Sequence, residues 1–252
     1  MPAKRKRNLF DPTSTEPFAL SRSKLECFVK CPRCLYLDRR LGVKPPGIPA
    51  LVLNSLVGKL LGMEFDACRE RSVTNPLMIA NGLEGVVPFN HPSLAEWRSN
   101  FKGIRFVHEP TNLLVYGAPD DLWVNKDGSL IVVDYKATAS KDREIKLDSV
   151  YRQAYKRQVE VYQWLLRQIG HKVCRQAFLV FANAKVDGTS FDCRLDFDLS
   201  LVEVIGQTEW IEPTLTQIKS TLMASDPPPA APDCEACKFV AAANEAAGRA
   251  AA

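Results

Sequence analysis

Apolar and polar positions follow two different rhythms along this chain. In LVLNSLVGKLLGMEFDACRE, apolar residues at 53, 56, 57, 60, 61 and 65 recur at helical spacing. Tyr151, Tyr155, Gln158, Tyr162, Leu165 and Ile169 do the same at intervals of 4, 3, 4, 3 and 4, within the most regular helical stretch, residues 147–169. Near the N-terminus, Ser21 or Ser23 can cap a helix carrying Leu25, Phe28 and Val29, which Pro32 breaks or restarts. The strand rhythm appears in GIRFVHE, in LLVYGAPDDLWVN, in SLIVVDYKAT, and in VCRQAFLVFAN and SFDCRLDFDL, a predicted hairpin around Val186-Asp187-Gly188. A last helix is expected from about Leu201 to Met223, residues 72–103 read as mostly irregular, and KPPGIP reads as a loop.

The resulting order is α, α, β, β, β, α, β, β, α. It predicts an α/β fold with a central mixed β-sheet flanked by helices, in which a hairpin is followed by a helical crossover. Residues 1–18, polar and Pro-rich, are expected to form a disordered basic arm. Residues 19–240 are expected to form a single domain, and residues 241–252 an Ala-rich tail.

Composition changes this picture little. Of 252 residues, 46% are hydrophobic and 25% charged, and the formal charge of +4 permits a polyanionic partner without requiring one. Basic residues cluster at Lys4 to Arg7 and again at Lys141, Arg143, Lys146, Arg152, Lys156 and Arg157. There is no apolar run of about eighteen residues, and MPAKRKRNLF has no apolar stretch behind its basic residues, so a cytoplasmic protein with no membrane partner is expected. Eight cysteines are then an unexpected number, because cytosolic thiols stay reduced; metal or cluster ligation is the natural question.

The chemistry concentrates in IVVDYKAT. Alternation along a strand puts Asp134 and Lys136 on one face and Tyr135 on the other, while Ile131, Val132 and Val133 suit a central strand covered on both sides. If Lys126, Asp127 and Gly128 form a three-residue turn, Asp120 faces Asp134; a two-residue Asp-Gly turn puts Asp121 there instead. In either register two carboxylates stand about 5 Å apart across the ladder, which is unfavourable unless a cation lies between them. Mg²⁺ or Mn²⁺ suits such oxygen donors, and Lys136 on the same face can serve a water or a phosphate.

GAPDDLWV, a short turn and IVVDYKAT together resemble the catalytic hairpin of the PD-(D/E)xK nuclease superfamily, in particular its RecB-like branch. Asp120, Asp134 and Lys136 match the family triad, and Gln158 and Tyr162 match the Q-x-x-x-Y signature on the following helix. LSRSKLECFVKCPRCLYL is similar to the opening of such nucleases. The resemblance implies a restriction-endonuclease-like core and metal-dependent hydrolysis of DNA phosphodiesters, single- or double-stranded. It also implies the Tyr135 carbonyl as a further metal ligand, and a helicase or other component of a larger complex as a partner. The alternative is a nucleic-acid-binding module of a repair, phage or defence complex with weak or no cleavage. One departure concerns NSLVGKLLGMEFD, where the branch usually carries a histidine: Gly58 falls near the expected place, with Glu64 and Asp66 the nearest acids.

Cys31-Pro-Arg-Cys34 and Cys234-Glu-Ala-Cys237 are two C-x-x-C pairs near opposite ends of the chain. They suit four-thiolate binding of either a structural Zn²⁺ or an iron-sulfur cluster, and either would staple the two ends together. Some RecB-like nucleases, including CRISPR-associated ones, carry a [4Fe-4S] cluster on one N-terminal and three C-terminal cysteines; here Ala243 stands where the third would fall. Cys27 is a spare candidate, and Cys68, Cys174 and Cys193 read as core residues.

Overall fold

The computed structural model of the protein describes residues 6–44, 51–141, 145–186, 188, 190 and 192–250. In chain order the elements are β1 (Phe18–Ser21), α1 (Arg22–Lys30), α2 (Pro32–Arg39), α3 (Val52–Glu70), α4 (Pro76–Ile79), β2 (Val87–Pro88), α5 (Leu94–Trp97), β3 (Ile104–His108), β4 (Leu113–Gly117), β5 (Asp121–Val124), β6 (Leu130–Thr138), α6 (Val150–Gln168), β7 (Val173–Ala184), β8 (Phe197–Ile205), α7 (Ile211–Met223) and α8 (Glu235–Ala250). Strands pair in the orders β1-β4-β3 and β2-β5-β6-β7-β8. No helix among the described residues is long and apolar enough to cross a membrane.

The chain divides into two compact units. The larger comprises Pro49–Phe106 and Tyr116–Thr208 and holds the five-stranded sheet. Its β5-β6 and β7-β8 pairs are antiparallel and β6-β7 is parallel, joined through α6, so the sheet is mixed as expected. The expected central strand is β6: Ile131, Val132 and Val133 are all fully buried. Ile131, Val133 and Tyr135 pack with Leu61 and Phe65 of α3, and the other face of β6 meets α6, where Val159, Tyr162 and Leu165 are buried. Burial on both faces explains why this strand is a nearly unbroken apolar run.

The smaller unit comprises Met1–Ile48, Val107–Val115 and Glu209–Ala252. Its helices α1, α2 and α7 pack on one another through Leu25, Leu35, Ile211, Leu215 and Ile218, all at most 1% exposed. Tyr36 donates its hydroxyl to the carbonyls of Ala224 (3.1 Å) and Ser225 (2.8 Å), tying the end of α7 to α2.

Several expectations change. The disordered arm does not extend to residue 18, because Phe10 is buried, its ring meets Phe18 edge-on at 5.3 Å, and its N–H donates to the Arg39 carbonyl (2.7 Å). Lys4 and Arg5 of the basic arm, KPPGIP beyond Lys44, Arg143 and Asp187 of the hairpin turn lie outside the described residues. Strand β8 begins within the expected SFDCRLDFDL strand but runs on through residues 201–205, where the last helix is expected to start: Leu201, Val202, Val204 and Ile205 also suit a pleated surface, and pairing with β7 satisfies their backbone. Residues 72–103 hold the short elements α4, β2 and α5, and most of the Ala-rich tail continues α8. Cys193 is exposed in the loop before β8 rather than buried in a strand.

The turn between β5 and β6 sets the register that matters most. Asn125 N–H donates to Ser129 O (3.0 Å), Gly128 N–H donates to Asn125 O (3.0 Å), and Gly128 has φ of 78°. This is the three-residue turn, and its left-handed residue must be one that tolerates that conformation. A side chain at Gly128 would meet nothing within 4 Å, so only the backbone opposes substitution. Gly128→Ala is expected to cost about 1 kcal/mol in urea denaturation, and Gly128→Asn, which tolerates this conformation, clearly less.

Candidate active site

Asp121 pairs with Val133, Leu122 with Val132 and Trp123 with Ile131, so one step further Asp120 stands opposite Asp134. The alternative register, with Asp121 opposite Asp134, is excluded. The two adjacent aspartates turn to different faces and meet different partners. Asp120 accepts a hydrogen bond from the Tyr135 N–H (2.8 Å), while Asp121, fully buried, forms an ion pair with Arg69 and accepts from the Tyr135 hydroxyl (2.8 Å).

The sequence-predicted residues of β6 and α6 converge. Asp134, 1% exposed, forms an ion pair with Lys136 and accepts a hydrogen bond from Gln158 Nε2 (2.7 Å). Lys136 Nζ also donates to Gln158 Oε1 (3.2 Å) and lies 4.5 Å from the centre of the Tyr155 ring. Gln158 Nε2 donates in addition to the Tyr162 hydroxyl (3.1 Å). One glutamine therefore touches the acid, the lysine and the tyrosine, which is how a polar residue is satisfied within the apolar stripe of α6.

Asp120 and Lys136 line a cavity of about 690 Å³, together with Asn54, Gly58, Lys59 and Arg98. Burial, and then the facing charge of Asp134, push the Asp120 carboxyl up to about 7, against the opposing pull of Lys136 and the Tyr135 N–H. The Tyr135 carbonyl, the expected third metal ligand, belongs to the residue between Asp134 and Lys136, whose side chain stacks on Phe65 at 5.7 Å between ring centres. All these candidate donors are oxygen, and the unfavourable meeting of two carboxylates is what a small divalent cation would relieve, so the residues fit Mg²⁺ or Mn²⁺.

The position expected to carry a further ligand is open. Gly58 lines the cavity, and a Cβ there would come no nearer than 4.0 Å to Tyr135 Cβ. Glu64 is exposed and does not line it, and Asp66 is held by Arg69 and by Arg98 Nη1 (2.8 Å). Sequence reasoning missed Arg69 and Arg98, which build the ion-pair network with Asp66 and Asp121. Arg69 could have been found as a charge four residues after Phe65 on the buried face of its helix.

The four predicted cysteines also meet, within the smaller unit. Cys31 precedes α2, whose first residue is Pro32; Cys34 lies in α2, Cys234 just before α8 and Cys237 inside it. Their four Sγ atoms lie within 4.8 Å of one another, with Cys34 at 3.4 Å from Cys234 and 3.7 Å from Cys237, and Cys31 at 3.9 Å from Cys237. Burial opposes ionisation of Cys31, but hydrogen bonds from the backbone N–H groups of Ala231 and Cys34, together with those from the Cys234 and Cys34 thiols, outweigh it and bring the thiol down to about 7. Burial and its sulfur neighbours push Cys34 up, and Cys237 up to about 11. One thiolate forms readily here while its neighbours resist, so full deprotonation calls for a cation among them. Cys27, the spare candidate, is not one of the four.

The sequence profile of the PD-(D/E)XK nuclease superfamily matches residues 19–242. The chain belongs to the PD-(D/E)XK nuclease superfamily. A search of curated proteins finds no match. Among solved structures, this PD-(D/E)XK chain is similar to the crystal structure of SSO0001, with 14% identity over 84% of this chain and 80% of that one and a TM-score of 0.39.

The raised Asp120 carboxyl has a pH signature. A carboxylate whose folded pKa lies above its ordinary 3.8 opposes folding once ionised, so its penalty sets in above pH 3.8 and is complete above about 7. Asp120→Asn is therefore expected to melt higher than wild type at pH 8 without metal, with the difference vanishing towards pH 4. Asp121→Ala is expected instead to lose about 3–5 kcal/mol in urea denaturation, because it strips a buried partner from Arg69.

Proposed function

We propose that this chain is a metal-dependent nuclease that hydrolyses DNA phosphodiester bonds, with Asp120, Asp134 and the Tyr135 carbonyl holding Mg²⁺ or Mn²⁺. The observation that carries this reading is the facing pair Asp120 and Asp134, with Lys136 paired to Asp134 and both Asp120 and Lys136 lining one cavity. A module that only bound nucleic acid would gain nothing from two carboxylates held where a phosphate must approach. A bound ion would neutralise that pair and act as a Lewis acid on the phosphodiester.

The chain's own residues supply the rest. Lys136 orients the attacking water and offsets negative charge growing on the phosphate, and its ammonium is aimed by Gln158 and the Tyr155 ring. Gln158 holds Asp134 and Lys136 at one spacing, and Tyr162 steadies Gln158. Arg98 at the cavity wall would meet the substrate backbone. The water oxygen bonds to phosphorus, the P–O bond to one sugar breaks, and a phosphomonoester and an alcohol leave.

Lys136→Ala is expected to reduce Mg²⁺-dependent cleavage of single- or double-stranded DNA by about 10²–10⁴-fold while leaving the circular dichroism spectrum unchanged. If wild type cuts neither substrate with Mg²⁺ or Mn²⁺, the reading as a nucleic-acid-binding module takes its place.

For the four cysteines we infer a single structural Zn²⁺. Thiolates at about 2.3 Å from one tetrahedral ion stand close to one another, as the 3.4–3.9 Å sulfur separations here do. A four-iron cube binds each thiolate through a different iron and spreads the sulfurs more widely. Metal analysis of anaerobically purified protein should find one zinc per colourless chain, and a brown protein would reverse the assignment. Cys31→Ser should lower the melting temperature by about 10 °C; an unchanged melt would mean that the site staples nothing.

A further inference from the structure

Helix α3 carries two apolar faces. Val57, Leu61, Phe65 and Cys68 face the core of the larger unit, but Leu53, Leu56, Leu60 and Met63 point away from it and are between 49% and 58% exposed. The apolar positions 53, 56, 57, 60, 61 and 65, which recur at helical spacing, are divided between these faces. The outward residues are spaced 3, 4 and 3 apart, the spacing of the inner positions of a coiled coil over two heptads. Lys59 and Glu64 flank this row on opposite sides, are both exposed, and among the described residues have no ion-pair partner in their own chain.

We propose that this face of α3 is a homodimer interface, in which the α3 helices of two copies run parallel with Leu53, Leu56, Leu60 and Met63 as the seam. The charge pattern selects both partner and direction. In a parallel pair a residue beside the seam meets the residue five positions further along the other helix, so Lys59 meets Glu64 of the second copy and Glu64 meets its Lys59. The same face is therefore complementary to itself, as a two-fold interface must be. An antiparallel pair would set Lys59 against Lys59. The interface rests on the exposed face of α3 alone and stands whether or not the chain cuts DNA.

Sedimentation of the full chain is expected to show a monomer–dimer equilibrium. Leu56→Glu should leave a monomer, Lys59→Glu should weaken dimerisation on the order of tenfold, and Lys59→Glu combined with Glu64→Lys should restore it. Leu53→Cys and Met63→Cys should each give a disulfide between the two copies of that position on mild oxidation, identified by peptide mass spectrometry, since a parallel seam brings both ends of the row against themselves whereas an antiparallel one brings only positions near its centre together. If Leu56→Glu loses its helical circular dichroism signal, the charge exchange alone decides. A wild type that stays monomeric at on the order of 100 µM, or a dimer equally tight in Leu56→Glu and Lys59→Glu, overturns the proposal.

Discussion

Two carboxylates facing each other across a β-ladder repel, and much of the larger unit is arranged around that repulsion. Asp120 and Asp134 stand opposed because the turn at Gly128 fixes the β5-β6 register, and the apolar strands on either side of Asp134 leave it almost no water. Lys136 and Gln158 offset part of the conflict from one face, and the Tyr135 N–H offsets part from the backbone. The remainder appears as the raised Asp120 carboxyl. A protein that only needed a stable hairpin would place other residues there; the unrelieved part is what a bound cation would offset in the proposed chemistry.

Asp121 shows the opposite solution one residue away. It faces the core, where Arg69 and the Tyr135 hydroxyl satisfy it, and so becomes part of the scaffold rather than of the cavity. The four cysteines repeat the theme in sulfur: groups that cannot all ionise together are held within reach of a single ion. In both places, crowding of like groups is tolerated where a cation would make it favourable.

The site was largely legible before the fold was known, for local reasons. Alternation put Asp134 and Lys136 on one face, helical spacing put Gln158 and Tyr162 on one face, and two C-x-x-C pairs stood out among eight cysteines. The continuation of β8 through residues 201–205 and the ordered packing of Phe10 were not legible. Leu201, Val202 and Val204 fit a helix as well as a strand, and what decides is the ladder offered by β7, which lies more than ten residues earlier in the chain. Arg69 was missed because a basic residue in a helix reads as solvated until its buried partner Asp121 is known, and Arg98, just after α5, because its partner Asp66 lies far along the chain.

By itself the sequence determined the chemistry-bearing residues and the faces they occupy, because period and turn type act over a few neighbouring residues. Turn chemistry alone left two registers open, of which the family resemblance favoured the one with Asp120 facing Asp134, and the apolar positions of α3 remained one undivided set. The tertiary structure fixed the Asp120 register, and it alone split that set into a core face and an exposed one. Both choices depend on what packs against a segment from far along the chain, and local spacing carries no information about that.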